Sequence, residues 1–410
     1  MCPEGSGTPQ CPSNAASAAR LEGWSQASCV ARVPPALAPP GHNPAGRASS
    51  AGPEGAQRPG AGARAASSDF SKFAIGFDER DRPRLHELWD GVIDSGRWSA
   101  GPLTEAFAAA WGTHNGLPTV AFGGWAGGAL AALEFADVRG ETVLVPSNTF
   151  MATPLAVLHA GAKVEFVDCN REDLCMSFED FERKVAEHKP KAAVLVHIGG
   201  HIAFDSERIA ELCRAEGIFL LEDCAHAHGA HWNGARPGSY GDAGVYSFYA
   251  TKTVSTGEGG ALVSRHDDLI EHAKLFRNYG KPAHELAGLN FRMSEFTAAI
   301  ALVQTERLDE IVAWKNDVAR AELDPIHPAR LQLPDGMTSG LYKYVTFGEI
   351  ERSTGKVYDQ PCHRIMGHSV ELPNSDWVAS HHWCVPLYYR PATEAAEAPS
   401  DGAERQLATT

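Results

Sequence analysis

Phe219-Leu220-Leu221-Glu222-Asp223-Cys224-Ala225-His226-Ala227-His228-Gly229-Ala230 is the stretch that decides the fold of this chain. A short apolar run ends on two acids and passes into small residues, the pattern of a buried strand that delivers a carboxylate to a loop. Downstream, Gly241-Asp242-Ala243-Gly244-Val245-Tyr246-Ser247-Phe248 brings another such strand to a hydroxyl. Lys252 follows, and the chain then runs into Gly257-Glu258-Gly259-Gly260.

Outward from this centre the same rhythm repeats. Strands are predicted at Thr119–Phe122, Thr142–Pro146, Lys163–Asp168, Ala192–His197, Ile218–Glu222, Ala243–Ser247 and Gly260–Ser264. Helical patterns fall between them, through Ala129–Ala136, Met151–His159, Phe178–His188 and Ser206–Glu216. Buried strands separated by helical crossovers imply a mainly parallel sheet covered on both faces. In such sheets ligands sit beyond the carboxyl ends of the strands, where the acid, the hydroxyl and the Lys all fall. A long helical pattern, Gln304 to Ala321, then leads to two further strands, Tyr342–Phe347 and Cys384–Tyr388.

The ends of the chain read differently. Residues 1–68 are dominated by Ala, Gly, Pro and Ser and contain neither Lys nor Phe. Such a segment cannot bury enough apolar surface to offset chain entropy and is predicted to be a disordered head. Residues 391–410 read as a second disordered tail. Between them we expect a large cofactor-binding domain over 69–303 and a small C-terminal domain over 304–390. A net charge of −15 argues against a nucleic-acid footprint. No apolar run reaches the length of a membrane span. Nine cysteines without a CxxC pair point to a reducing, cytoplasmic setting rather than to a disulfide framework or zinc ribbon.

An acid, a hydroxyl and a Lys at adjacent strand ends are what pyridoxal-phosphate chemistry needs. The Lys amine forms a Schiff base and shuttles protons. A carboxylate keeps the pyridine nitrogen protonated, and a hydroxyl with backbone N–H groups holds the phosphate. Taken singly, Asp223, Ser247 and Lys252 each have an ordinary structural reading; their order together is what points to chemistry. Cys224, His226 and His228 could suggest a metal, but no second ligand pair lies at standard spacing, and none is expected. His381-His382-Trp383-Cys384 heads an apolar strand and is read as structural. Gly123-Gly124 and Gly127-Gly128 lack the G-x-G-x-x-G of a dinucleotide loop.

The arrangement resembles the DegT/DnrJ/StrS family of sugar aminotransferases, which have the fold-type I architecture of pyridoxal-phosphate enzymes. Gly96-Arg97-Trp98-Ser99-Ala100-Gly101-Pro102-Leu103 looks like the family's opening segment. Val145-Pro146-Ser147-Asn148-Thr149-Phe150-Met151-Ala152-Thr153 is similar to its P-x-x-T-[FW]-x-A-[ST] segment and implies that Phe150 stacks on the cofactor ring. The same resemblance pairs Asp223 with the ring nitrogen and puts His226 near the phenolic oxygen. Ser247-Phe248-x-x-x-Lys252, ending in Gly257-Glu258-Gly259-Gly260, matches the family's most specific signature. It makes Ser247 a phosphate ligand and Lys252 the Schiff-base residue. Gly288-Leu289-Asn290-Phe291-Arg292-Met293-Ser294-Glu295 corresponds to a segment whose Asn reaches the phosphate of the neighbouring subunit. Asn290 would then require a homodimer with shared active sites. Its ordinary reading is a cap on the helix starting near Ser294.

Two departures stand out. Where the family has a Ser-Gly-Thr cradle for the phosphate, this chain reads Trp125-Ala126-Gly127-Gly128, so Ala126 and Gly127 are expected to contribute only backbone donors. The region from Ala321 to Tyr389 is shorter than the family's small domain, with the loss placed near Ser353-Thr354-Gly355-Lys356.

The fold implied is α/β, a fold-type I transferase with a mainly parallel sheet of the seven-stranded kind and a shortened C-terminal α/β domain. The activity implied is transfer of an amino group from glutamate or glutamine to a keto-sugar, nucleotide-linked in most of the family, in amino-sugar biosynthesis. Alternatives within the resemblance are a cyclitol aminotransferase, a sugar dehydratase, which Lys252 disfavours, and a non-catalytic pyridoxal-phosphate-binding regulator. Regulators usually add a DNA-binding domain, and residues 1–68 carry no helix-turn-helix pattern.

Overall fold

The computed structural model describes residue 75 and residues 77–390; the head and the tail predicted above lie outside them. In chain order the elements begin with α1 (Arg82–Ser95), α2 (Pro102–Asn115), β1 (Thr119–Phe122), α3 (Trp125–Phe135) and β2 (Thr142–Pro146). They continue with α4 (Ala152–His159), β3 (Lys163–Val167), α5 (Phe178–His188), β4 (Ala192–Val196), α6 (Ser206–Glu216) and β5 (Phe219–Asp223). Next come β6 (His231–Trp232), β7 (Ala243–Ser247), β8 (Gly260–Val263), α7 (Asp267–Phe276) and α8 (Glu295–Val318). The C-terminal part holds β9 (Met337–Thr338), β10 (Tyr344–Thr346), α9 (Cys362–Ile365), α10 (Pro373–His381) and β11 (Trp383–Val385).

Seven strands form one sheet in the order β1-β8-β7-β5-β4-β2-β3. Only β8 runs against its neighbours, β1 and β7; the pairs from β7 to β3 are parallel. Every residue of β4 and β7 is buried, as expected for strands covered on both faces. The seven strands predicted for the sheet are all present, within a residue or two of their expected ends. The helix expected from Ala129 starts earlier, at Trp125, and the one expected from Gln304 starts at Glu295. The two C-terminal strands shrink to three residues each and pair with one another, β10 also bonding residues 329–331. Among the described residues no helix is long and apolar enough to cross a membrane.

A second core packs α2 and α8 beside the sheet, through Phe107, Trp111, Phe248, Met293 and Leu308. One buried carboxylate organises this junction. Helix α2 starts at Gly101-Pro102 with no side-chain cap of its own. Glu295, on the first turn of α8, accepts the N–H groups of Gly101 (3.0 Å), Leu103 (2.8 Å) and Thr104 (3.0 Å), and also the Thr104 hydroxyl. A carboxylate at two helix N-termini is favoured by both dipoles and satisfies donors that would otherwise be orphaned. Glu295→Ala should therefore destabilise the fold by about 3 kcal/mol, the upper range for stranding buried donors. A urea-unfolding midpoint equal to that of the wild type would refute this role.

Candidate active site

The carboxyl edge of the sheet gathers the predicted residues because β1, β2, β5 and β7 end there together and β8 begins there. Asp223 is the last residue of β5 and is buried. Its two oxygens accept the Ala225 N–H at 3.1 Å and the Thr153 hydroxyl, from the first turn of α4, at 3.0 Å. Burial pushes the Asp223 carboxyl above its usual range, while the Lys252 ammonium and these hydrogen bonds pull it back. Glu222, one residue earlier, points to the opposite face of the strand. There it accepts the N–H groups of Gly238, Tyr240 and Gly241 and pairs with His197 at 2.8 Å.

Lys252 stands in a loop that extends the β7–β8 hairpin. Phe248 donates its N–H to the Gly259 carbonyl, Thr256 to that of Phe248 and Ala250 to that of Gly257, and Gly257 takes a left-handed turn at φ +79°. That geometry explains why Ser247, Lys252 and the Gly-Glu-Gly-Gly run keep their spacing. Burial lowers the Lys252 ammonium to about 8, with Asp223 working against the shift and Lys343 with it. Ser247 ends β7 opposite Gly260. A side chain at Gly260 would meet the Gly124 backbone at 2.5 Å, so glycine there lets the turn before α3 lie against β8. That turn leads into the first helical residues, Ala126 exposed and Gly127 buried, with no side-chain cap and no acid. It is an open helix N-terminus able to receive an anion.

His226 leaves the strand end in a different direction from His228. It packs against the Tyr342 ring at 4.2 Å and stacks near Tyr358. Burial and the neighbouring Lys252 and Lys343 hold it far below its usual range, hence neutral. His228 instead stacks on Phe248 and accepts the Val254 N–H, pinning the Lys252 loop from behind. The two imidazoles do not converge on a common point. His382 is similarly occupied, with the Val378 carbonyl and the Val357 N–H.

Phe150 lies 64 % exposed just before α4, an aromatic face open to a ligand ring. Its loop is clamped by the C-terminal part. The Cys362 N–H reaches the Ser147 carbonyl at 2.8 Å, the Cys362 thiol the Thr149 carbonyl at 3.1 Å, and Ser147 Oγ lies 2.6 Å from His363 Nδ1. Asn290 is exposed. The capping role considered for it is overturned: Ser294 caps α8, accepting the Thr297 N–H. Phe291 docks the Asn290 segment beside the α3 turn, where its carbonyl accepts the Gly123 N–H at 2.7 Å.

Sequence reasoning missed Thr153 and Tyr342 as site residues. Tyr342 places its ring 4.9 Å from Lys252 Nζ and its hydroxyl 3.0 Å from Thr251 Oγ1. Its arrival depends on Gly200, at φ +118°, where a side chain would meet the Tyr342 nitrogen at 2.5 Å. The Gly199-Gly200 pair was the available signal.

A buried acid bonded on two sides, a buried amine in its field, an open aromatic face and an uncapped helix N-terminus beside a hydroxyl fit pyridoxal phosphate. Residues 80–332 match the DegT/DnrJ/EryC1/StrS aminotransferase family. The chain is 38 % identical over 202 residues to a GDP-perosamine synthase of Vibrio cholerae, covering 47 % of this chain and 54 % of that protein. It is 31 % identical over 342 residues to a dTDP-3-amino-3,4,6-trideoxy-alpha-D-glucose transaminase of Micromonospora megalomicea subsp. nigra, covering 76 % and 91 %. The solved structure of an aminotransferase from Streptoalloteichus hindustanus superposes with a TM-score of 0.69 at 27 % identity, covering 77 % of this chain and 93 % of that one. The chain spans about half the length of the first curated relatives it matches.

Schiff-base formation needs an uncharged amine, and for Lys252 that population rises as pH rises through about 8. The attachment rate, followed by absorbance after adding cofactor to the apoprotein, should climb across that pH. Asp223→Asn removes the charge that favours the ammonium and should move the midpoint to lower pH. A flat profile, or a midpoint moved upward, would exclude this coupling.

Proposed function

The chain belongs to the DegT/DnrJ/EryC1/StrS aminotransferase family, and from that premise we propose that it moves an amino group from glutamate or glutamine to a nucleotide-linked keto-sugar in amino-sugar biosynthesis. The observation that carries the reading is the buried Lys252 amine in the field of Asp223, beside the exposed face of Phe150. When bound, pyridoxal phosphate supplies an aldehyde carbon that carries nitrogen between the two substrates and a ring that takes up electron density.

The chain's own residues do the rest. Lys252 Nζ takes the proton from the donor's α-carbon and later delivers one to the sugar carbon that receives nitrogen. Asp223 holds a proton on the ring nitrogen, with Thr153 fixing one of its oxygens and Ala225 the other. His226 is neutral and accepts the Gly199 N–H at Nδ1, so Nε2 carries its proton and can donate toward the phenolic oxygen. Phe150 orients the ring; Ser247, Ala126 and Gly127 hold the phosphate. We assign 69–303 to the cofactor domain and 304–390 to the smaller one, and place the enzyme in the cytoplasm.

The Asp223→Asn protein should retain the cofactor yet lose roughly a hundredfold in turnover, on the order of 3 kcal/mol for a lost electrostatic partner. The assay is 2-oxoglutarate released from glutamate in the presence of a nucleotide-linked keto-sugar. Near-normal turnover would place the ring's partner elsewhere.

The active site is completed, in this reading, by a second copy of the chain. Asn290 is exposed, and around its segment stand Trp98, Tyr279 and Leu289, each at least 40 % exposed. Trp98 packs edge-on against Phe296, and Asn278 bridges Asn290, so these side chains belong to one surface. A homodimer would cover that apolar rim and bring Asn290 to the partner's phosphate. Mixing Lys252→Ala with Asn290→Ala subunits, each nearly inactive alone, should restore part of the activity, because hybrid dimers hold one intact site. No recovery after verified subunit exchange would confine Asn290 to its own chain's site.

A further inference from the structure

Two buried groups each combine an imidazole, a thiol and a carboxylate: His197, Glu222 and Cys224, and Asp173, Cys175 and His201. The first is spent on the frame. Glu222 holds four donors, and His197 accepts the Ala203 N–H at Nδ1 while Nε2 meets Glu222. The second is not. Asp173 lies wholly buried in the turn after β3, with no Lys or Arg paired to it among the described residues. Its oxygens accept the N–H groups of Cys175 (2.9 Å) and Phe204 (2.7 Å), so each keeps an acceptor position. Cys175, also buried, accepts the Ile198 N–H at its sulfur, which lies 3.7 Å from His201 Nε2. A buried charge has to be paired or to hold a metal, and this carboxylate has no cation.

The donor atoms of the three side chains all lie within 4.8 Å of one another. A point central to atoms so spaced is at most about 2.8 Å from each, so a contraction of under roughly an ångström brings all three onto one ion. No larger cavity is required. Sulfur and imidazole nitrogen on one tetrahedral zinc ion stand about 3.6 Å apart, close to the 3.7 Å found here. We propose that Asp173, Cys175 and His201 bind one zinc ion as a closed structural site. A thiolate with an imidazole selects zinc over magnesium or calcium. The Asp173 carbonyl, 3.0 Å from Nε2, can complete the set. Without metal, Nε2 donates its proton to that carbonyl; on binding, the ring proton moves to Nδ1 and the Cys175 thiol releases its own to buffer. The ligands come from two segments, the turns after β3 and β4, so no spacing in the sequence announces them. The second turn also donates the Gly199 N–H to His226 and seats Tyr342 against Gly200. The ion would brace that wall from behind, and its binding is measured independently of the amination reading.

The test uses the full chain with Cys2→Ser, Cys11→Ser and Cys29→Ser, so that metal-bound sulfur can come only from the buried cysteines. Expressed with added zinc and desalted, it should carry one zinc per chain by plasma mass spectrometry. X-ray absorption at the zinc edge should show one sulfur at about 2.3 Å beside nitrogen and oxygen at about 2.0 Å. Cobalt supplied in place of zinc should give an intense near-ultraviolet thiolate-to-cobalt band. Cys175→Ser should abolish that band, and Cys213→Ser, on α6, should leave it unchanged. His201→Leu and Asp173→Asn should each weaken zinc binding at least tenfold in competition with a chelating dye. Protein that retains far less than one zinc per chain, or a zinc shell without sulfur, would overturn the proposal whether or not any ligand variant folds. So would a cobalt band that survives Cys175→Ser.

Discussion

A buried carboxylate has to be paired, and this chain ends the central strand of its sheet on two of them. The strand's alternation sends Glu222 and Asp223 to opposite faces, where they meet unequal company. A carboxylate offers about four acceptor positions. Glu222 receives four donors, one from His197 and three from the backbone of residues 238–241, and thereby fixes the turn into β7 and the end of β4. Asp223 receives two. After the Ala225 N–H, the Lys252 cation does most to oppose its desolvation. The fully satisfied acid builds the frame, and the partly satisfied one is left for chemistry.

Each donor to Asp223 carries a connection outward. Thr153 ties it to α4, whose preceding loop bears Phe150 and is gripped by Cys362 and His363 from the far end of the chain. On the other side, His228 and Phe248 stack beneath the Lys252 loop, and Phe248 in turn packs edge-on against Trp111 of α2. Glu295 holds α2 to α8, so the position of the amine relative to the acid is set by both cores at once.

Much of this is legible in the amino-acid sequence. The strands are short apolar runs bounded by polar or glycine-rich turns, and full burial on two faces is what makes such runs conspicuous. Asp223, Ser247 and Lys252 are legible for a related reason, as polar residues placed where apolar runs stop. Tyr342 and Thr153 are not, because nothing local marks a tyrosine that crosses back over a strand end or a threonine in a helix's first turn. Their roles come from contacts between distant segments. Glu295 is hidden in the same way: an acid opening a helix looks ordinary until the second helix it caps is seen. Asn290 invites the opposite error, since the nearby Ser294 is the better cap by position and makes the bond.

The C-terminal region follows from what it lacks. Its strands β10 and β11 form a two-stranded sheet, too little to stand alone, and its order comes from docking. Val345 belongs to the same core as the central sheet, Cys362 and His363 bond the Phe150 loop, and Ser375 bonds Asp168 at the end of β3. A region attached through the Phe150 loop cannot shift without moving Phe150. Tyr342 is its aromatic contribution beside Lys252. Since Tyr342 contacts both Lys252 and His226, the C-terminal region reaches the amine and the imidazole through one side chain.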